Sequence, residues 1–376
     1  MHLNDKNTSR RLYLMEGGMH LYSSMPTAIT PADLYEIKGN PAARAALATC
    51  NIYLVTARRR IYIDPSNISR EGNVVRGAFI VQRTSGVTHV PFELTITDEI
   101  VVNADYVRDV QVFGSGTHLA VVTEGNTTIL AAHVVVAHAD SALSGEDKDL
   151  EVLYVGQGIG RSGQRSAIDR LLNHTTLQRI LADASTFRPD HELILLLYRF
   201  QNLKIMLSTG GDLNAEPEAS SAEERLHVDR MHQATLSRHA QVALAEAGLI
   251  RHFQPIYNTQ LKDSDFSARK KAKILQDLLR KDMTGLIVEI SSGNVRSRLR
   301  TESAHPIDIS QIFDEAALTG SRLESETDKR AWAAELHQME HSHFAQFALT
   351  TPDERDSFVH GTIWQGETQR DNVPRS

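Results

Sequence analysis

A carboxylate on an otherwise apolar helical stripe is the first residue of this chain that needs a chemical explanation. In AEAGLIRHFQPIYN, residues 245–258, Glu246 shares a helix face with Val242, Leu249 and Phe253. Pro255 ends that helix, and Asn258 follows in the exit turn. An inward carboxylate is costly unless a cation or a metal ion meets it. Two chemistries answer that cost: a bound divalent ion, or a structural ion pair, with Arg170 as a candidate partner.

Further reactive side chains lie upstream, in LEVLYVGQGIGRSGQRSAIDRLLNH, residues 150–174. Residues 150–155 read as a buried strand ending at Gly156. Ser166 with Asp169 three positions on forms a capping box, so a helix starts near Ala167. Ile168, Leu171 and Leu172 give it an apolar face, while Arg170 and His174 stand one turn apart on another. A strand-end tyrosine (Tyr154), a cation, an imidazole and a distant carboxylate are the side chains that could grip a phosphate and a divalent ion.

These residues resemble the GIY-YIG nuclease superfamily. Tyr154-Val155-Gly156 matches its second motif, Arg170 with His174 its arginine followed four positions later by tyrosine or histidine, and Glu246 and Asn258 its metal-binding glutamate and terminal asparagine. The resemblance covers roughly residues 131–262. It implies a β-β-α-β-α nuclease domain that hydrolyses DNA in one step with Mg²⁺ or Mn²⁺ held by Glu246. Arg170 would neutralise phosphate oxygens, Tyr154 with help from His174 would take a proton from water, and Asn258 would orient the scissile group or the ion's water ligand. The sequence departs from the family in its first motif: the strand expected before Tyr154, AAHVVVAHAD at residues 131–140, has no tyrosine, which leaves His133 or His138 for that place. The segments between Gly156 and Arg170 and between His174 and Glu246 are also longer than usual.

The expected architecture is α+β in three parts. Residues 1–128, with runs such as NIYLVT, RIYI, GAFIVQ and VPFELTI, suggest a small antiparallel sandwich or barrel that selects a target or protein partner. Residues 129–300 would hold the nuclease domain, with ELILLLYRF as its third strand, a helix over 267–281 and the strand GLIVEI, where Glu289 faces solvent. Residues 301–376 read as an acidic, partly helical tail, helical around 331–347.

Composition sets the outer bounds. The 376 residues leave room for two or three domains, and Cys50, the only cysteine, excludes internal disulfides and cysteine-based zinc sites. No apolar run approaches the roughly 20 residues of a membrane span, and the first residues lack the apolar core of a signal peptide, so a cytoplasmic protein is expected. A net charge of −7 argues against coating nucleic acid non-specifically. A basic block between Arg251 and Arg300 could nevertheless track a DNA backbone, against the simpler reading of a solvated helix face. The histidines of HQMEHSH (His337, His341, His343) fit a solvated helix better than a zinc site, and GQGIGRSG lacks the Lys-Ser/Thr of a phosphate-binding loop.

Overall fold

The computed structural model describes residues 10–83, 85–159, 166–209, 216–258 and 269–349. In chain order the principal elements are β1 (Glu16–Ser23), β2 (Thr27–Ile29), β3 (Ile52–Arg59), β4 (Ile61–Glu71), β5 (Val74–Arg83), β6 (Gly86–Thr95), β7 (Asp109–Phe113), β8 (His118–Thr123), β9 (Asn126–Ala131) and helix α1 (Ala132–His138). There follow β10 (Leu150–Gln157), α2 (Ala167–Leu171), α3 (Thr175–Phe187), β11 (His191–Tyr198), β12 (Phe200–Ser208), α4 (Ser221–His232) and α5 (Arg238–Phe253). The last are α6 (Arg269–Leu279), β13 (Met283–Ser291), α7 (Glu326–Glu340) and β14 (Ser342–Ala348). The fold is α+β, with a β-rich N-terminal part.

Two sheets form the body. In the first, β3 is central, flanked antiparallel by β10 and β11, with β2 beyond β11 and the short Leu299–Arg300 strand beyond β10. Alternation along β3 sends Ile52 and Leu54 into one core and Tyr53, Val55 and Ala57 into another. The run ELILLLY is apolar at nearly every position because β11 is buried on both faces. The second sheet runs β12-β1-β13-β14, with β1 and β13 parallel. α5 packs against the core that both sheets share and is buried almost all round, as its run of Ala, Leu and Gly allows.

The pairing of strands divides the chain differently from the sequence pattern. β1, β2 and β3 belong to the body, so the boundary expected at residue 128 cuts through both of its sheets. The β-rich module is instead an insertion of residues 61–148 between β3 and β10, built from the meanders β4-β5-β6 and β7-β8-β9 around its own core. The run at 131–140, expected as the strand before Tyr154, is mostly helix. α1 buries Ala132, Val135 and Val136 against the module's core, and a short apolar run does not itself distinguish a buried strand from a buried helix.

The expected tail also changes. α7 ends at Glu340, and residues 342–348 add β14 to the edge of the second sheet. Glu289, expected to face solvent, is fully buried, with His20 Nε2 2.8 Å from its carboxylate. His337 Nε2 and His341 Nδ1 bond the backbone carbonyls of Gly293 and His337, at 2.8 and 2.7 Å, so both rings are tied into the fold, His341 buried and His337 half-buried. His343 bonds the Leu299 carbonyl at 2.8 Å and lies 3.1 Å from His252. Residues 350–376 and the start of the expected 267–281 helix lie outside the described residues.

Two outcomes test this architecture. Replacing residues 60–149 with a short Gly-containing hairpin turn should leave a cooperatively melting body with its far-UV spectrum intact; an unfolded chain would mean the module is part of the body's core. The second concerns pH. Desolvation by burial holds His252 near a pKa of about 4 and His343 near about 3. Below pH ~6.5 the unfolded chain therefore takes up protons that the native state resists, so stability is lost as pH falls from there toward 4. The melting temperature should drop from pH 7 to pH 5, and less steeply in His252→Gln/His343→Gln; equal slopes would refute the linkage.

Candidate functional site

The site forms where β3 and β10 pair. Tyr53 on β3 lies opposite Gly156 on β10, and Tyr154 opposite Val55. A side chain two positions along a strand returns to the same face, so Tyr53 and Tyr154 are diagonal neighbours with ring centroids 6.2 Å apart. The register shifts between Val152 and Tyr154, a bulge that puts both Leu153 and Tyr154 on the face of Tyr53. Gly156 is required by this contact: a Cβ there would stand 2.5 Å from the Tyr53 ring and hydroxyl.

Ser166 and Asp169 form the expected capping box, and Asp169 also holds Arg44 at 2.8 Å, which anchors the first turn of α2. Arg170 projects from this short helix and is exposed. α2 ends at Leu171, so His174 is not on its face one turn along; it is the N-cap of α3. His174 Nδ1 accepts the Leu177 N–H at 3.1 Å, which leaves the proton of the neutral ring on Nε2. The imidazole is buried 5.0 Å from the Tyr154 ring and 5.8 Å from that of Tyr53. Desolvation, reinforced by the Arg170 charge, lowers its pKa to about 4. It is thus a neutral hydrogen-bond donor near pH 7, poorly placed to accept a proton.

Glu246 reaches the site from the middle of α5 and is buried, as its stripe predicts. Its cationic neighbour is Lys271 of α6, with Nζ 3.7 Å from Oε2, and the same oxygen accepts a hydrogen bond from Gln157 Nε2 at 2.8 Å. An ion pair with Arg170 is not what meets it. Desolvation raises the Glu246 pKa, and Lys271 and Gln157 oppose that shift. The phenols move the same way: burial and the Glu246 charge raise Tyr154, with Arg170 pulling against them. Tyr53 is raised by burial first and by Tyr154 next. Both hydroxyls therefore hold their protons unless further positive charge arrives.

Asn258 has a different place from the one expected. Its Oδ1 accepts the Val155 N–H at 2.9 Å and its Nδ2 donates to the Val155 carbonyl at 2.8 Å, so the amide stands in for a neighbouring strand. Tyr257 N–H donates to the Leu153 carbonyl as well. The turn after α5 is thereby laced to both sides of Tyr154, and Asn258 positions that tyrosine instead of facing a substrate. The sharp exit is set by Gln254, in the left-handed region at φ 46°, just before Pro255.

Tyr53 and Gln157 were not among the sequence candidates. The signal for Tyr53 was the run NIYLVT, but the inserted module separates it from its pairing partner. His133 and His138 lie on α1, lining a separate cavity of about 210 Å³ between the module and the body. A divalent ion can use a single protein carboxylate with water and phosphate oxygens completing its shell, so Glu246 fits such an ion as its one protein ligand. Among the described residues no group of three His, Cys, Asp or Glu side chains is arranged to hold a metal.

The Gly156–Tyr53 contact gives a direct test. Gly156→Ala should destabilise by about 1–3 kcal/mol, the usual range for overpacking. The cost should shrink in a Tyr53→Leu background, because the nearer of the two rings that meet the new methyl, at 2.5 Å against 2.7 Å for Tyr154, is gone. Equal costs in the two backgrounds, read by urea denaturation, would show that the strands do not pack as described.

No protein-family model, curated protein or solved structure matches the chain, so its site has to be read from its own geometry.

Proposed function

We propose that the chain hydrolyses phosphodiester bonds in DNA, with an arrangement like that of the GIY-YIG nucleases. The observation that carries this reading is the convergence of Tyr53, Tyr154, Arg170, His174 and Glu246, drawn from five separate elements of the body. On this reading Tyr53 takes the place of the first-motif tyrosine, which neither His133 nor His138 can do from α1. The pairing of β3 with β10 supplies the hairpin that the resemblance requires, with the module replacing its turn.

The roles follow from charge and donor geometry. Arg170, exposed at the rim, would bind the non-bridging oxygens of a phosphodiester and stabilise the negative charge that grows on them. Tyr154 and Tyr53, protonated at rest, would hold the attacking water or a phosphate oxygen by their hydroxyls. Either becomes a base only when added positive charge outweighs Glu246. The His174 Nε2–H would fix the orientation of the phenols. A divalent ion on Glu246, Mg²⁺ or Mn²⁺, would supply charge for the departing oxygen.

DNA contact would fall to the exposed Arg170, Arg251, Lys273, Arg296 and Arg300, since Arg298 is engaged by Asp149 and Glu340 and Arg280 by Asp277. Lys262, Arg269 and Lys270 have no described side chains. The inserted module is richer in acids than in bases and is a poor surface for DNA, so a protein partner suits it better. No helix among the described residues is long and apolar enough to cross a membrane. The buried Lys271–Glu246 pair favours one rival, a binding or assembly module that keeps a nuclease-like scaffold without the reaction.

Plasmid nicking in lanes with Mg²⁺, Mn²⁺ or EDTA separates the two. The parent chain should nick in the metal lanes. Arg170→Ala should lower the rate by about two to three orders of magnitude, and Tyr154→Phe by about two. Glu246→Gln should abolish it. A folded parent that nicks no DNA form in any lane leaves the scaffold reading in place.

A further inference from the structure

Glu246 is not the only charged residue that its helix turns inward. On α6, Lys271 heads the stripe that continues through Ile274, Leu275 and Leu278, all of which pack into the shared core. Its neighbour Lys273 points to solvent. The Lys271 side chain, like that of Glu246, is only 11% exposed, and its ammonium stands 3.7 Å from Oε2. That same oxygen is the one Gln157 holds at 2.8 Å. Two helices thus each commit one inward charged residue to a single contact, beside the two tyrosines.

We propose that Lys271 is the resident cation of this site, and that a divalent ion reaches Glu246 only by displacing the Lys271 ammonium. The proposal rests on the reading of Glu246 as an ion-binding carboxylate and adds to it a competitor built into the fold. A fixed ammonium and a doubly charged ion repel each other strongly at contact distance in a poorly solvated pocket. They cannot both use one carboxylate whose second polar neighbour, Gln157, is a donor. Among the described residues Glu246 belongs to no group of three His, Cys, Asp or Glu side chains that could share an ion's charge. The consequence is a site with weak affinity for divalent ions until α6 shifts. Arg170 and Lys271 keep enough positive charge there to receive a phosphodiester first.

Calorimetric titration of Mn²⁺ into the full chain near neutral pH reads this without reference to cleavage. Lys271→Met and Lys271→Gln should each bind Mn²⁺ at least tenfold more tightly than the parent, and adding Glu246→Gln to either should erase the gain. The glutamine variant keeps a polar partner for Glu246, so it carries the comparison if the methionine variant unfolds, as checked by circular dichroism. Equal affinities in parent and variants, a gain that survives Glu246→Gln, or no Mn²⁺ binding in any form would overturn the proposal. So would loss of the fold in both single variants, which would make Lys271 a structural residue. Tight Mn²⁺ binding by Lys271→Gln together with no nicking by any form would end the nuclease reading and leave this one standing.

Discussion

The pairing of β3 with β10 is the constraint on which the rest of the molecule depends. It makes β3 the central strand of the first sheet, and it sets Tyr53 beside Tyr154. It also brings Glu246 into reach, because Gln157 at the end of β10 is the residue that bonds it. The two strands lie far apart in the chain, so forming this contact closes a long loop. Loop-closure entropy grows only slowly with length, and most of the intervening chain folds around its own core. That self-contained folding shortens the effective gap between the strand ends. Gly156 then makes the register specific, since a one-residue slip would put a side chain where the Tyr53 ring lies.

The electrostatics of the site follow from burial more than from proximity. Glu246, Tyr53 and Tyr154 are all pushed toward their neutral forms first by desolvation, and Arg170 is too exposed to reverse this for the phenols. His174 is driven the same way, to about 4. The phenols and the imidazole thus rest uncharged at one site, while the upward push on Glu246 is opposed by Lys271 and Gln157. Lys271 is the exception, and it lies against the one carboxylate there.

How much of this was legible in the sequence varies with the range of the interactions involved. Local signals read well: the Ser166–Asp169 capping box, the end of α5 before Pro255 and the inward face of Glu246 all depend on residues within a turn or two. Asn258 was picked out, but its role was not legible, because what it touches is the backbone of Val155 and not a substrate. Tyr53, Gln157 and Lys271 were missed for one reason: each acquires its meaning from a strand or helix remote in sequence. The 131–140 run was misread because Val-rich apolar segments fit a buried strand and a buried helix equally well. In Glu289, alternation suggested a solvent face that the rest of the chain covers.

The point at which the module enters bears on what it can do. It leaves after Arg59 and returns just before Leu150, at the end of the hairpin opposite Tyr53. At about 3.3 Å per residue the connection lies roughly 20 Å along β3 from that tyrosine. The module can therefore replace a hairpin turn without disturbing the packing of the two rings. By the same geometry its core contributes no side chain to the pocket, and its cavity with His133 faces Thr27 and Asn294 of the body instead. Any influence on the site has to travel along β3 and β10 or across the contact that α1 makes with the body around that cavity.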